Sequence, residues 1–143
     1  MPIRPPEKLH ALEVFLGSWQ ITGKNLSLAA ADTMVRGNIF FQWMPGHFFI
    51  TSQWHLKSGA ESHIGMSVIG FDEAKQVYFM ENYDNLGSRR TYTMRNDGFR
   101  WMIEGNRERG EIIFENPERY RERWEVRKDR HWEPLCELKV IKI

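Results

Sequence analysis

The sequence predicts an all-β chain folded as an up-and-down antiparallel barrel of about ten strands, with one short N-terminal helix capping an end. Three observations carry this. Gly, Asn-Asp and Pro-Gly turn signals recur at intervals of roughly ten residues. The stretches between them are rich in β-branched and aromatic side chains, which suit a pleated, half-buried surface. Only one segment, near the start, has helical spacing, and none is placed as a crossover between parallel strands. Closing such a sheet removes the two exposed edges that an open one would carry.

The helical segment runs from Pro5 to Phe15 or Leu16, with Glu7 in its first turn and Leu9, Leu12 and Val14 to Leu16 as an apolar stripe. Gly17 stops it. Strands are then expected over Gly17–Leu26, Met34–Met44, His47–Lys57, Glu61–Phe71, Val77–Tyr83, Arg89–Arg95, Phe99–Gly105, Gly110–Glu115, Arg119–Arg127 and Trp132–Ile141. Pro45-Gly46 is read as the turn between the second and third. With Ser58-Gly59-Ala60 as the next loop, His55 faces His63, Trp54 faces Ile64, Ser52 faces Met66 and Ile50 faces Val68. With Asp97-Gly98 as a two-residue turn, Met94 faces Trp101, Tyr92 faces Ile103 and Arg95 faces Arg100.

At 143 residues and 17.1 kDa the chain is expected to be one domain over its whole length, 1–143. Lys plus Arg number 20 and Asp plus Glu 19. A net charge of +1 supplies no field to recruit nucleic acid or an anionic membrane, so neither is expected as a partner. The uncharged stretch from Gly37 to Leu56 is long enough for a membrane span. Asn38, Gln42, His47, Gln53 and His55 inside it argue against one. One cysteine, Cys136, rules out an internal disulfide framework, and the proline-broken start lacks a signal-like apolar run, so a cytoplasmic location is expected. Charge is uneven: residues 1–71 carry 9 of the 39 charged side chains. The later strands therefore each have a strongly wetted face.

Directly after the helix stands Phe15-Leu16-Gly17-Ser18-Trp19, and Gly17-x-Trp19 at the entry to a first strand resembles the signature of the lipocalin and fatty-acid-binding superfamily. Trp43-Met44-Pro45-Gly46, then Gly65 to Asp72, then Tyr83-Asp84-Asn85-Leu86-Gly87, and Trp124 with Trp132 extend the likeness over nearly the whole chain. Together they resemble a bacterial family of lipocalin-like, calycin-type barrels, a domain of unknown function related to nitrobindin. The resemblance implies that Gly17 and Trp19 close one end of the barrel, with a basic side chain from a late strand, Arg123 or Lys139, packed on the indole. Nitrobindin-like barrels bind haem through a histidine near the C-terminus. Here the last strand has none and His131 sits just before it at the rim, so no cofactor is expected.

A barrel of this width has room for a small ligand. Trp43, Trp54, Trp101, Phe41, Phe48, Ile50, Ile64, Met66, Tyr83 and Tyr92 are the residues expected to line its cavity, with Ser52 or Ser62 helping to orient an apolar guest. A solid core is the competing reading. His55 and His63, as cross-strand neighbours, offer two metal ligands. His47 lies about 27 Å from His55 along an extended strand, so a different third ligand such as Glu61 or His10 would be needed, and no metal is expected. Arg119, Arg121, Arg123 and Arg127 share a strand face, but Glu111, Glu115 and Glu125 beside them favour external ion pairs over a nucleic-acid groove. Cys136 is read as a small buried side chain.

Three functions follow. The leading one is a carrier of a small apolar molecule. An enzyme would use Glu81, Tyr83 or Tyr92 as acid or base in the same cavity, with Glu122 a further carboxylate among apolar neighbours. An interaction protein would have a filled barrel and pack the uncharged hairpin 37–56 on a partner, including a second copy.

Overall fold

Alternation of apolar and polar residues dictates a curved sheet with one dry face, and the computed structural model, which describes residues 3–27 and 33–143, shows that sheet closed on itself. A helix over Glu7–Phe15 precedes ten antiparallel strands: β1 (Gly17–Asn25), β2 (Met34–Trp43), β3 (Ile50–Ser58), β4 (Glu61–Asp72), β5 (Val77–Asp84), β6 (Arg89–Asp97), β7 (Arg100–Glu104), β8 (Glu108–Asn116), β9 (Arg119–Lys128) and β10 (His131–Lys142). Each strand pairs with its neighbours in sequence, and β1 closes the barrel against β10.

The helix is of the 3₁₀ type. Its buried residues, Leu9, Leu12 and Phe15, are spaced by three, which a helix of three residues per turn stacks on one side. Val14, expected in the apolar stripe, is exposed. Two side chains of the barrel hold the helix in place: Trp19 Nε1 donates to the Phe15 carbonyl at 2.7 Å, and Tyr78 Oη to that of Lys8 at 2.7 Å. Phe15 projects into the barrel. Its ring centroid lies 5.4 Å from those of Phe41 and Trp101 and 5.3 Å from that of Phe114. Trp19, wholly buried, packs edge-on to Tyr120 at 5.1 Å. These rings close the base of the barrel, and Gly17 makes the bend into β1 at φ 112°, a conformation that side chains resist. Lys142, neither Arg123 nor Lys139, reaches the Trp19 ring, at 5.6 Å. The reason is register: Lys142 pairs directly with Trp19, whereas Lys139 points outward and Arg123 is held outside by Glu111 at 3.2 Å.

Two hairpins depart from their expected register. The β3–β4 loop is Gly59-Ala60, with Ser58 opposite Glu61, so Ser52 faces Ser67, Trp54 faces Gly65, His55 faces Ile64 and Leu56 faces His63. A shift of one residue on β4 turns every side chain of that strand to the other face. Ile64 and Met66 consequently stand outside, and Ser67 within. The β6–β7 turn is Gly98-Phe99, with Asp97 opposite Arg100 and Met94 opposite Ile103. That shift is of two residues and keeps the faces, so Tyr92, Met94, Trp101 and Ile103 all point inward and are buried. Arg95 lies opposite Met102, and Arg100 instead meets Glu111 at 2.5 Å.

Between β2 and β3 the turn is longer than Pro45-Gly46. The Met44 amide donates to the Phe49 carbonyl at 2.8 Å and His47 adopts φ 61°, so Phe48 and Phe49 lie at the loop and β3 starts only at Ile50. In β10 the register shifts between Pro134 and Cys136, as befits a residue with no amide hydrogen. On the outer wall Arg121 pairs with Glu115 at 3.3 Å and Arg123 with Glu111 at 3.2 Å, external ion pairs that the sequence pattern predicts, while Glu125 takes Arg109 of β8 at 2.9 Å.

Candidate functional site

With one end plugged by aromatic rings, the barrel retains a cavity of about 360 Å³ above Phe15. Most of its wall is apolar: Ile21, Val35, Ile39, Phe41, Trp54, Leu56, Ile69, Met80, Met94, Ile103, Ile112 and Leu138. Such a volume falls in the range of small-molecule pockets. The wall keeps its shape where glycines let large rings lie flat across the neighbouring strand. A Cβ on Gly65 would overlap the Trp54 indole, and one on Gly110 would stand 2.9 Å from that of Trp124.

Of the expected lining residues, Phe41, Trp54 and Tyr92 stand on the cavity wall. Ile50 and Trp101 are buried beneath it in the core. Trp43 packs against that core and stacks on His47 at 5.0 Å. Phe48 is half-buried in the β2–β3 loop. Ile64, Met66 and Tyr83 are on the outside, the first two because of the β4 register and Tyr83 because the inward set on β5 is Tyr78, Met80, Asn82 and Asp84. The same alternation places Glu81 outside, where its Oε2 accepts from Tyr83 Oη at 3.2 Å. Of the acid-base candidates, Tyr92 and Glu122 remain inside.

His55 and His63 occupy opposite faces for the reason given above. His63 lines the mouth and meets Asp84 at 3.0 Å. Among the described residues no group of three or more His, Cys, Asp or Glu side chains is arranged to hold a metal ion. His131 Nε2 lies 3.0 Å from Glu133 Oε1 at the exposed β9–β10 turn.

Polar groups enter the cavity in three sets. A row crosses four adjacent strands, Ser52 to Ser67 to Asn82 to Arg90, each opposite the next. The two serine hydroxyls, both buried, bond to each other. Asn82 Oδ1 is buried and has no hydrogen-bond partner. At the mouth, Glu108 accepts from Arg90 Nη1 at 2.5 Å and from Tyr92 Oη at 2.6 Å. Burial, reinforced by the Glu108 carboxylate, pushes the Tyr92 phenol far above its usual range. Beside it Asp84 joins His63 and also accepts from the amides of Leu86 and Ser88, each at 3.0 Å. Desolvation pulls its carboxyl upward, but the bonds from His63, Ser88 and Leu86 outweigh this and leave it below the usual aspartate range.

The third set is on the facing wall. Glu122, between Tyr120 and Trp124 on the inward side of β9, accepts from Trp124 Nε1 at 2.6 Å through Oε2. Burial raises its carboxyl above the ordinary glutamate value, the indole bond only partly opposing this. Cys136 and Leu135 both border the cavity, and burial, with Glu122 and Glu137 adding to it, pushes the Cys136 thiol up to about 12. A thiol held so firmly protonated is a poor nucleophile.

Sequence reasoning missed Asn82, Asp84, Arg90, Ser67 and Glu108. Val77 to Asp84 is apolar on both faces over its first half, so alternation alone does not select the inner one. Glu122 carried a signal: it shares a face with Tyr120 and Trp124, opposite the arginines.

No protein-family model and no curated protein matches the chain. Solved structures do. The chain is similar to the S-type phycobiliprotein lyase CPES from Guillardia theta, at TM-score 0.65 and 13% identity over 94% of this chain and 91% of that one. It is similar to Rv2717c from M. tuberculosis, at TM-score 0.73 and 12% identity over 97% and 99%. A fluorescence-activating β-barrel designed de novo aligns at TM-score 0.51 and 13% identity over 93% and 97%. At these identities the shared property is the fold, a closed antiparallel β-barrel.

Proposed function

We propose that this chain is a cytoplasmic binding protein that holds one small, mainly apolar molecule inside the barrel, the whole of 1–143 acting as one domain. The observation that carries this is the cavity of about 360 Å³, walled by aliphatic and aromatic side chains above an aromatic floor. Burial of apolar area would supply most of the affinity, at roughly 25 cal/mol per Å² before the costs of association. Phe41, Trp54 and Tyr92 are its aromatic contacts. The unpaired, high-pKa thiol of Cys136 suits a reducing compartment, and two of the similar barrels are named for a phycobiliprotein lyase and for fluorescence activation. A relation to nitrobindin would account for the sequence likeness, without the C-terminal histidine that haem would require.

Titration with Nile red, a neutral apolar dye, is expected to saturate at one per chain and quench tryptophan emission. Met80→Trp places an indole in the cavity, and its Nile red affinity should fall at least about tenfold while the overpacking costs only about 1–3 kcal/mol of stability. Equal binding by both proteins would place the dye elsewhere and remove the reading.

A second reading, self-association, draws on the outer face. Phe40, Met66 and Tyr83 are exposed and aligned with Gln53 across β2 to β5, a row without formal charge. Sedimentation velocity at tens of micromolar should then show a dimer that Met66→Lys returns to 17.1 kDa. A single 17.1 kDa species in the unaltered protein would end this reading.

A further inference from the structure

The polar groups of the cavity differ in how completely the protein satisfies them. Glu108 is neutralised by Arg90 and bonded by Tyr92, and Asp84 accepts three hydrogen bonds. Glu122 is the exception. One of its oxygens accepts from Trp124 Nε1, and among the described residues it makes no other hydrogen bond and has no cationic partner. Facing it are Tyr120 and Trp124 on its own strand, Ile112 from β8, and Leu138 and Cys136 from β10. None of these brings a positive charge. Nearly opposite round the barrel, on β5, Asn82 Oδ1 is also buried without a donor. A half-buried carboxylate that faces an apolar cavity with no cation beside it, and a buried amide oxygen without a donor, both disfavour the empty state. Both requirements are met by one kind of guest.

Resting on the ligand-binding reading above, we infer that the ligand is an amphipathic amine: an apolar body lies against Phe15, Ile39 and Met80, and its basic nitrogen donates to the free oxygen of Glu122. A second donor on the same molecule reaches Asn82. A carboxylate-bearing guest would set like charge against Glu122. Among the described residues that line the cavity Arg90 is the one permanent cation, already paired with Glu108 and half-exposed at the mouth. Charge chemistry inside the barrel thus selects among guests that the apolar wall would accept equally.

Competition against bound Nile red tests this with three guests of one shape: 2-(2-naphthyl)ethylamine, 2-(2-naphthyl)ethanol and 2-naphthylacetate. At pH 8 the amine should displace the dye at a concentration at least about tenfold lower than the alcohol, with the acid weakest. The preference should shrink as pH falls and Glu122 gains a proton. In Glu122→Gln it should contract to about twofold, read as the ratio of amine to alcohol affinity within the same protein. Calorimetry in two buffers of different ionisation enthalpy should show proton release on amine binding to the unaltered protein in the pH range where the preference is falling and little at pH 8, and the pH series requires no variant to fold. Equal displacement by all three guests, or a preference for the acid, with Nile red still bound, overturns the amine assignment and leaves the carrier intact. If neither Nile red nor the amine saturates, the carrier reading fails and this inference fails with it.

Discussion

Trp19→Ala is expected to destabilise the protein by about 3–5 kcal/mol, the cost of deleting a large aromatic from a packed core. Trp19 has no exposed surface, packs on Phe114 and Tyr120, and donates through Nε1 to the Phe15 carbonyl. Its loss opens a hole at the base and unties the helix that bears Phe15. For a domain of this size the melting temperature should drop by roughly 10–20 °C. Urea denaturation followed by far-ultraviolet circular dichroism measures the change. Trp19→Phe should recover much of the packing but not the hydrogen bond. A loss below about 1 kcal/mol in the alanine variant would show that the base is not the barrel's principal core.

Asp84→Ala is expected to cost about 2–3 kcal/mol, because one carboxylate serves the β5–β6 turn and the cavity mouth together. It accepts from the Leu86 and Ser88 amides and from His63, and its side chain is only 11% exposed. The sign of its pH dependence follows from its lowered folded-state value. The unfolded chain holds the proton more tightly than the folded one, so stability from this group is fully present above about pH 4, the usual aspartate value, and is lost as pH falls through the lower folded value. Asp84→Asn should therefore lose stability at neutral pH and flatten the acid limb of the stability curve below pH 4. An unchanged acid limb would assign acid sensitivity to other carboxylates. Because Asp84 and Ser88 border the cavity, the alanine variant should also release bound Nile red faster.

How far the sequence led can be judged from particular residues. Closure of ten strands and the helix were readable; the inward faces of the strands after residue 72 were not, although Tyr92 and Trp101 were named for the interior and the two-residue β6–β7 error leaves side-chain direction unchanged. The ion pairs of Arg121 and Arg123 were readable from alternating charge on neighbouring strands. β4 was misread because Ser58-Gly59-Ala60 and Gly59-Ala60 are both acceptable loops. The segment Ile64-Gly65-Met66-Ser67-Val68-Ile69 contains apolar residues of both parities, so hydrophobicity could not choose between them. The two registers differ in whether a serine pair or a methionine enters the barrel. Trp54 tips the balance: its indole needs a partner with no Cβ, which Gly65 supplies and Ile64 does not.

By itself the sequence determined an all-β barrel with an aromatic base, because turn spacing, strand length and the Gly17-x-Trp19 entry are local properties of the chain. Only the tertiary structure decided what the barrel encloses. Asn82 and Arg90 become neighbours through the pairing of β5 with β6, Glu108 reaches Arg90 from β8 beyond the short β7, and Glu122 becomes a lone cavity carboxyl because β8 and β10 bring it apolar side chains and a thiol without a cation. An interior's charge balance is a sum over many strands, which no single segment encodes.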